Sequence, residues 1–306
     1  MDQLAAMKVF VDVVEARGFT AASRISGVPL PTISRRIDQL ESLLGVKLLL
    51  RTTRQTVVTD SGREYYAQTK RILDEIENAA RVARGDVQNI KGQLRITAPS
   101  TFGRLYLLPI VREFLDTYPE TEIVLIATNQ VLDPIAEHID LSLRIGEIES
   151  TTAQVVDIGE MHEKTVASPA YLRAHGRPTE PGDLYEHDVI MFSSRNRQVP
   201  WCYGSPTGGT KNYLFDARIF VNTAEAALDC ALANMGVVNL FHYQASEEIR
   251  RKSLSVVLDD YAPDPHPVSF IAPERDPAPR KLSAFIDFAL PRLRQQLTEL
   301  AQSFPV

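Results

Sequence analysis

Residues 27–45 read GVPLPTISRRIDQLESLLG. Ile33, Ile37, Leu40 and Leu44 recur at the three-and-four spacing of one helical face, and Gly45 stands where such a helix stops. Pro31 suits the first helical turn, where its missing N–H would have no partner anyway. Leu30, Pro31, Thr32, Ser34, Arg35, Asp38 and Gln39 fall off the apolar stripe. Polar residues and arginines at a helix start usually mean only a good cap and a solvated face. The same set also suits nucleic acid: Thr32 and Ser34 can donate to phosphate oxygens, Arg35 can offer its fork to a guanine edge, and Arg36 can neutralise phosphate.

The flanking sequence decides between these readings. Upstream, Met7, Phe10, Val11 and Val14 mark one face of a helix that Gly18 is placed to close, and Thr20 opens a short alanine-rich helix ended by Gly27. Two short helices joined by a tight glycine-containing turn form a helix-turn-helix. Downstream, VKLLLRTTRQTVVTDSG reads as strand, basic turn, strand and a helix cap at Asp60 or Ser61. Arg51 and Arg54 then ride on a β-hairpin wing, within reach of an adjacent minor groove.

The net charge of −6 is unevenly spread. Over residues 1–60, eight basic residues face six acidic ones, leaving +2 there and −8 in the remainder. Such asymmetry fits a nucleic-acid arm carried on a domain with a different task. With 306 residues and 44% hydrophobic composition, the chain is long enough for two domains with full cores. Cys202 and Cys230 make no disulfide framework and match no zinc spacing, the start MDQLAAMKVF lacks the order of a signal peptide, and no apolar run nears a membrane span. The expectation is a soluble cytoplasmic protein with no membrane partner.

Between residues 60 and 85, Tyr65, Thr69, Ile72, Ile76, Ala79 and Ala83 alternate at four and three steps. A helix of about 24 residues is about 36 Å long, more than a sixty-residue head can cover, so a partner helix is expected on this stripe. From residue 92 onward, strands such as LRITA, TEIVLIAT and GVVNLF alternate with helical segments, which predicts α/β with a mainly parallel sheet. Ligands in such folds gather beyond the carboxyl ends of strands. Two stretches stand at such places: Ser100, Thr101 and Phe102 in TAPSTFG, and Asn222 and Thr223 in FVNTAEAAL. The plain alternative is capping, with Asn222 and Glu225 as a capping box.

Enzyme chemistry finds little footing. The six histidines have no metal spacing, there is no nucleophile elbow and no phosphate loop, and GSPTGG at 204–209 reads as a hairpin turn. No cofactor is expected.

The run MKVFVDVVEARGFTAASRISGVPLPTISRRIDQLESLLGVKLLLRTTRQTVVTDSGREYY resembles the winged helix-turn-helix of the LysR-type transcriptional regulators. The resemblance implies base contacts from Pro31, Ser34 and Arg35 and a minor-groove contact from Arg54. Leu30 departs from the polar residue that the family commonly has before the helix proline. SPAYLRAHGRP and its surroundings are similar to the family's effector-binding domain, a two-lobed α/β fold like periplasmic solute-binding proteins. Three parts are therefore expected: an all-α winged helix-turn-helix at 1–60, a dimerising linker helix and hinge at 61–91, and an effector domain at 92–306. Its lobes would be 92–161 with 268–306, and 162–267. On that analogy Ser100, Thr101, Phe102, Asn129 and Arg144 face the cleft from one lobe, and Phe192, Asn222 and Thr223 from the other. Arg144 would either meet a ligand carboxylate or lock its strand through an ion pair. After GVVNL the family usually has Leu-Pro, whereas this chain has Phe241, His242 and Tyr243. The implied partners are double-stranded promoter DNA, an anionic small-molecule effector, a second copy in dimers that pair into tetramers, and RNA polymerase. The alternatives are a ligand-independent regulator or one responding through its thiols.

Overall fold

The computed structural model describes residues 2–51, 56–83, 90–148, 153–193, 198–204, 208–274 and 278–302. They form two compact units, Met1–Asn89 and Ile90–Val306. In the first, helices α1 (Gln3–Glu15), α2 (Phe19–Ser26) and α3 (Leu30–Leu44) precede the antiparallel strands β1 (Leu49–Arg51) and β2 (Thr56–Val58) and the helix α4 (Asp60–Ala83). Phe10 and Val13 from α1, Ala22 from α2, and Ile33, Ile37 and Leu40 from α3 close one buried core. Gly27 ends α2 in the left-handed region at φ 70°, where glycine carries no steric penalty. The end of α1 differs from expectation. Arg17, not Gly18, turns left-handed there (φ 55°), because Gly18 already serves as the residue that opens α2.

Two side chains fix the strands to the helices. The carboxylate of Glu41 on α3 is buried and accepts the N–H groups of Leu48 and Leu49, each at 3.0 Å, and Lys47 at 2.5 Å. Burial pushes this carboxyl up, but the bonds from Lys47, Leu49 and Leu48 outweigh it and hold the group below the ordinary carboxylate range. The hydroxyl of Thr59 donates to Lys47 O at 2.7 Å and accepts from Gly62 N at 2.9 Å, so Thr59 rather than Asp60 or Ser61 caps α4. Gly62 is required at this docking point, because a β-carbon there would lie 2.1 Å from Leu48 O.

The first half of α4 belongs to its own unit. Tyr65 packs on Phe10 with ring centroids 5.6 Å apart, Thr69 is fully buried, and Lys70 pairs with Glu15 at 3.0 Å. Of the apolar stripe expected to meet a partner, Tyr65 and Thr69 are therefore spent on the head. Ile72 and Ile76 stand 43% and 44% exposed, while the side chains of Ala79 and Ala83 lie outside the described residues.

The second unit contains two five-stranded sheets. Its elements are β3 (Gly92–Ala98), α5 (Ser100–Phe102), which continues through a π turn at Gly103–Leu107 into α6 (Leu108–Thr117), then β4 (Thr121–Ala127), β5 (Leu141–Ile145) and β6 (Gln154–Met161). The chain passes through His162 into β7 (Glu163–Ala167), α7 (Pro169–His175), β8 (Val189–Phe192), the hairpin of β9 (Trp201–Gly204) and β10 (Thr210–Tyr213), and β11 (Ala217–Val221). It continues through α8 (Ala224–Leu232), β12 (Val237–Phe241), α9 (His242–Arg250) and β13 (Ser255–Val257), then returns as β14 (His266–Ala272) and ends in α10 (Arg280–Gln302). Residues 205–207 of the expected GSPTGG turn lie outside the described residues.

The sheet orders are β4-β3-β5-β14-β6 and β11-β8-β12-β7-β13. Neither is mainly parallel, which corrects the sequence expectation. Each has two parallel and two antiparallel pairings, because β14 enters the first sheet, and β7 the second, from the neighbouring sheet rather than through a helical crossover. The second sheet is covered on both faces, with Val189, Met191 and Val237 in one core and Ile190 and Val238 in the other. Among the described residues, no helix is long and apolar enough to cross a membrane.

Glu41→Ala would leave two buried N–H groups without their acceptor and should lower the stability of the first unit by roughly 1–3 kcal/mol, read as faster amide exchange in α3. Because the folded-state pKa of Glu41 is lowered, its contribution is present above the ordinary carboxylate pKa and lost as pH falls through the folded value. The gap between wild type and variant should therefore close in acid.

Candidate functional site

Two regions gather the residues singled out from sequence. The first is the exposed face of α3. Successive helical residues are 100° apart, so Pro31, Ser34, Arg35, Asp38 and Ser42 share the side opposite Ile33, Ile37 and Leu40, and together line one shallow concave surface. Leu30 is 42% exposed beside them, Pro31 and Arg35 are exposed, and Thr32, Ser34 and Arg36 are half-exposed. The turn before α3 is held by Ser23, whose hydroxyl donates to Val28 O at 2.7 Å. This face of the helix is rich in hydrogen-bond donors. The backbone of Arg51 lies in β1, paired with Thr56, and its side chain and all of Arg54 lie outside the described residues.

The second region is a cavity of about 690 Å3 between the two sheets of the second unit. Asn129, Arg144, Phe192, Phe241, Tyr243 and Gln244 are among its lining residues. Arg144 projects from β5 next to β14, and its guanidinium makes one long bond, from Nη1 to Gln130 O at 3.5 Å. Burial lowers its pKa, and among the described residues no carboxylate pairs with it. The ion pair that would make Arg144 a purely structural residue is thus not found among the described carboxylates.

The other expected residues connect the sheets. Asn129 accepts from Ser100 N at 3.1 Å and donates to Asn222 O at 3.4 Å, so one side chain links the start of α5 to the end of β11. Thr101 donates to Glu225 at 2.9 Å, and Arg104 lies 3.7 Å from the same carboxylate oxygen. Glu225 is therefore not a capping-box partner of Asn222; Thr223 caps α8 by accepting from Ala226 N at 3.2 Å. Phe102 is fully buried and touches Tyr106 and Tyr243, which makes it a supporting core residue rather than a lining one.

Sequence reasoning marked Phe241, His242 and Tyr243 as a departure from the expected pattern but passed over Gln244 beside them. It also passed over the residues at the crossover. There His266 at the start of β14 lies 3.2 Å from Glu163, whose other oxygen accepts from Asn239 at 2.6 Å, with the Phe241 ring edge-on to His266 at 5.4 Å. The pairing with Glu163 raises the His266 pKa against the opposing effect of burial. His242 is buried, and burial pushes its imidazole down to about 4. Cys202 on β9 and Cys230 on α8 are half-buried thiols without a disulfide.

Residues 4–63 match the model of the bacterial regulatory helix-turn-helix proteins of the lysR family, and residues 88–294 match that of the LysR substrate binding domain. The chain is 29% identical to the transcriptional activator AaeR of Escherichia coli over 287 residues, 94% of this chain and 93% of that protein. Among solved structures it is similar to full-length AphB, the Vibrio cholerae virulence activator, with a TM-score of 0.59, 26% identity and coverage of 94% and 98%. It is likewise similar to CrgA of Neisseria meningitidis, with a TM-score of 0.60, 26% identity and the same coverage.

The pair at the crossover gives a pH test. The folded-state pKa of His266 is raised, so its contribution to stability is fully present below the unfolded value of about 6.5 and lost as pH rises through the folded value. The melting temperature advantage of wild type over Glu163→Gln should be larger at pH 6 than at pH 8.5. An advantage independent of pH would mean that His266 keeps one charge state across that range.

Proposed function

The chain belongs to the LysR family of transcriptional regulators, and from that premise we propose that it binds promoter DNA as an oligomer and answers to an anionic small molecule in its cleft. In this reading residues 1–60 are the DNA-binding head, 61–91 the dimerising linker and 92–306 the effector domain, with lobes at 92–161 plus 268–306 and at 162–267. The donor-rich face of α3 supports the first part. Pro31, Ser34 and Arg35 meet base edges, Leu30 meets a thymine methyl or a sugar, and Thr32 and Arg36 meet phosphates, with Arg51 and Arg54 reaching the minor groove.

The observation that carries the effector reading is Arg144. A half-buried guanidinium has five N–H donors, and among the described residues a single long bond uses one of them. A partly desolvated charge gains from a counter-ion, and an anion entering the cleft would supply one. The bonds from Asn129 to Asn222 and from Thr101 to Glu225 join the two lobes beside that cleft, so a ligand favouring one lobe arrangement shifts the balance between arrangements. Self-association is supported by Ile72 and Ile76, exposed on α4, and by the exposed Leu105, Leu108, Phe220 and Met235 on the second unit. A two-fold dimer matches paired half-sites, tetramers pair two such dimers, and regulation then works through RNA polymerase at the promoter.

Arg35→Ala should weaken binding to an operator selected from random duplexes by about 10–100-fold while leaving the oligomeric mass unchanged. Fluorescence anisotropy and light scattering measure the two; unchanged affinity would remove α3 as the reading helix.

A further inference from the structure

Glu41 stands on the helix that carries the base-reading residues and bonds to the root of the wing. We infer that it is a positioning residue for DNA binding: its carboxylate, acting on the backbone of Leu48 and Leu49, sets where the wing stands relative to α3, and so the spacing between major-groove and minor-groove contacts. This rests on the DNA-binding reading above.

The root of the wing is clamped from two sides. On the N–H side, one oxygen of Glu41, Oε1, accepts from both Leu48 N and Leu49 N at 3.0 Å, while Oε2 meets Lys47. On the C=O side, Leu48 O accepts from Thr59 N at 3.0 Å and from the Thr59 hydroxyl at 3.1 Å. Leu48 is thus held by α3 through its N–H and by the cap of α4 through its carbonyl. Strand β1 starts at the next residue, and the pairs Leu49–Val58, Leu50–Val57 and Arg51–Thr56 carry the hairpin onward. At about 3.3 Å per residue the Arg51 backbone stands about 7 Å from that of Leu49, so a tilt at the root is passed into the wing. A minor groove about 6 Å wide leaves little room for such an error.

Packing alone does not call for a carboxylate at this point. Ile33, Ile37 and Leu40 already seat α3 in the core, and Glu41 is 5% exposed. Taking a carboxylate out of water is costlier than burying an apolar side chain of similar volume. What the carboxylate adds is direction, since it fixes two N–H donors at set positions and an apolar side chain fixes none. The two oxygens divide the task. Lys47 is 68% exposed, so its ion pair contributes little, and the positioning belongs to Oε1. An amide keeps that oxygen, which separates Glu41→Gln from Glu41→Ala.

The test uses the full chain and the selected operator, at a temperature where melting curves show each variant folded. Anisotropy titrations between about 50 and 200 mM salt give affinity and salt slope, and hydroxyl-radical footprinting gives minor-groove protection. Glu41→Ala should bind about 10-fold more weakly, its salt slope should flatten by about 1, and protection of the minor groove beside each half-site should fade. Its preference for the operator over a duplex altered at the bases under α3 should stay, because the core still seats that helix. Glu41→Gln should restore both the slope and the protection. In an Arg54→Ala chain, adding Glu41→Ala should weaken binding by less than about 2-fold more, since the contact it positions is already gone. Should Glu41→Ala fail to fold, Glu41→Asp replaces it with the same expectation, its acceptor being one methylene short of both N–H groups. Full additivity with Arg54→Ala, a wild-type slope and footprint, or equal loss of base preference and minor-groove protection overturns the positioning role and leaves the wing contact standing. An Arg54→Ala chain with wild-type slope and footprint overturns the wing contact and the proposal with it.

Discussion

The return of one strand organises the whole second unit. β14 lies between β5 and β6, two strands made more than a hundred residues earlier, and pairs antiparallel with both. The first sheet is incomplete until the second has been built and the chain has come back. The second sheet is thereby an insertion tied at both ends, by His162 going out and by the segment before His266 coming home. A body held by two adjacent strands can tilt about them but cannot leave, and the cavity lies where the two sheets face each other.

The polar groups near that junction fall into two sets. Close to it, Glu163, His266 and Asn239 form a short charged chain among rings. Elsewhere Asn129 bridges the lobes by one bond to Asn222 O, and Glu225 by a bond from Thr101 with Arg104 at 3.7 Å.

Local signals made the helix-turn-helix legible, because each of its helices carries an apolar stripe and a stop within about fifteen residues. The α/β character of the remainder was legible for the same reason. What escaped were pairings between distant positions. Glu225 looked like a cap partner three residues from Asn222, yet its carboxylate meets Thr101, 124 residues away. Glu41 looked like one charge among many on a solvated helix, since nothing in its neighbours announces that Leu48 and Leu49 will point their N–H groups at it. Tyr65 and Ile72 share one periodic stripe, but the reach of α1 along α4 divides it, with Tyr65 against Phe10 and Ile72 in the open. Of the residues nominated for the cleft, Asn129, Arg144 and Phe192 line one cavity, Ser100 and Asn222 bond to Asn129, and Phe102 stands behind the wall.

The π turn at Gly103–Leu107 has a consequence for how this sequence can vary. Such a turn holds one residue more than the α-helical path needs, which sets Ser100–Phe102 about 100° out of step with Leu108–Thr117 compared with an uninterrupted helix. Thr101 can then face Glu225 while Ile110 and Phe114 face the first sheet. Point substitutions along this helix change one side chain at a time, whereas loss of a single codon between 103 and 107 would remove one residue and also rotate one end of the helix against the other by about 100°. With Gly103 and Leu107 buried and Tyr106 packed on Phe102, this short stretch should be sensitive to replacement and more so to any change in length.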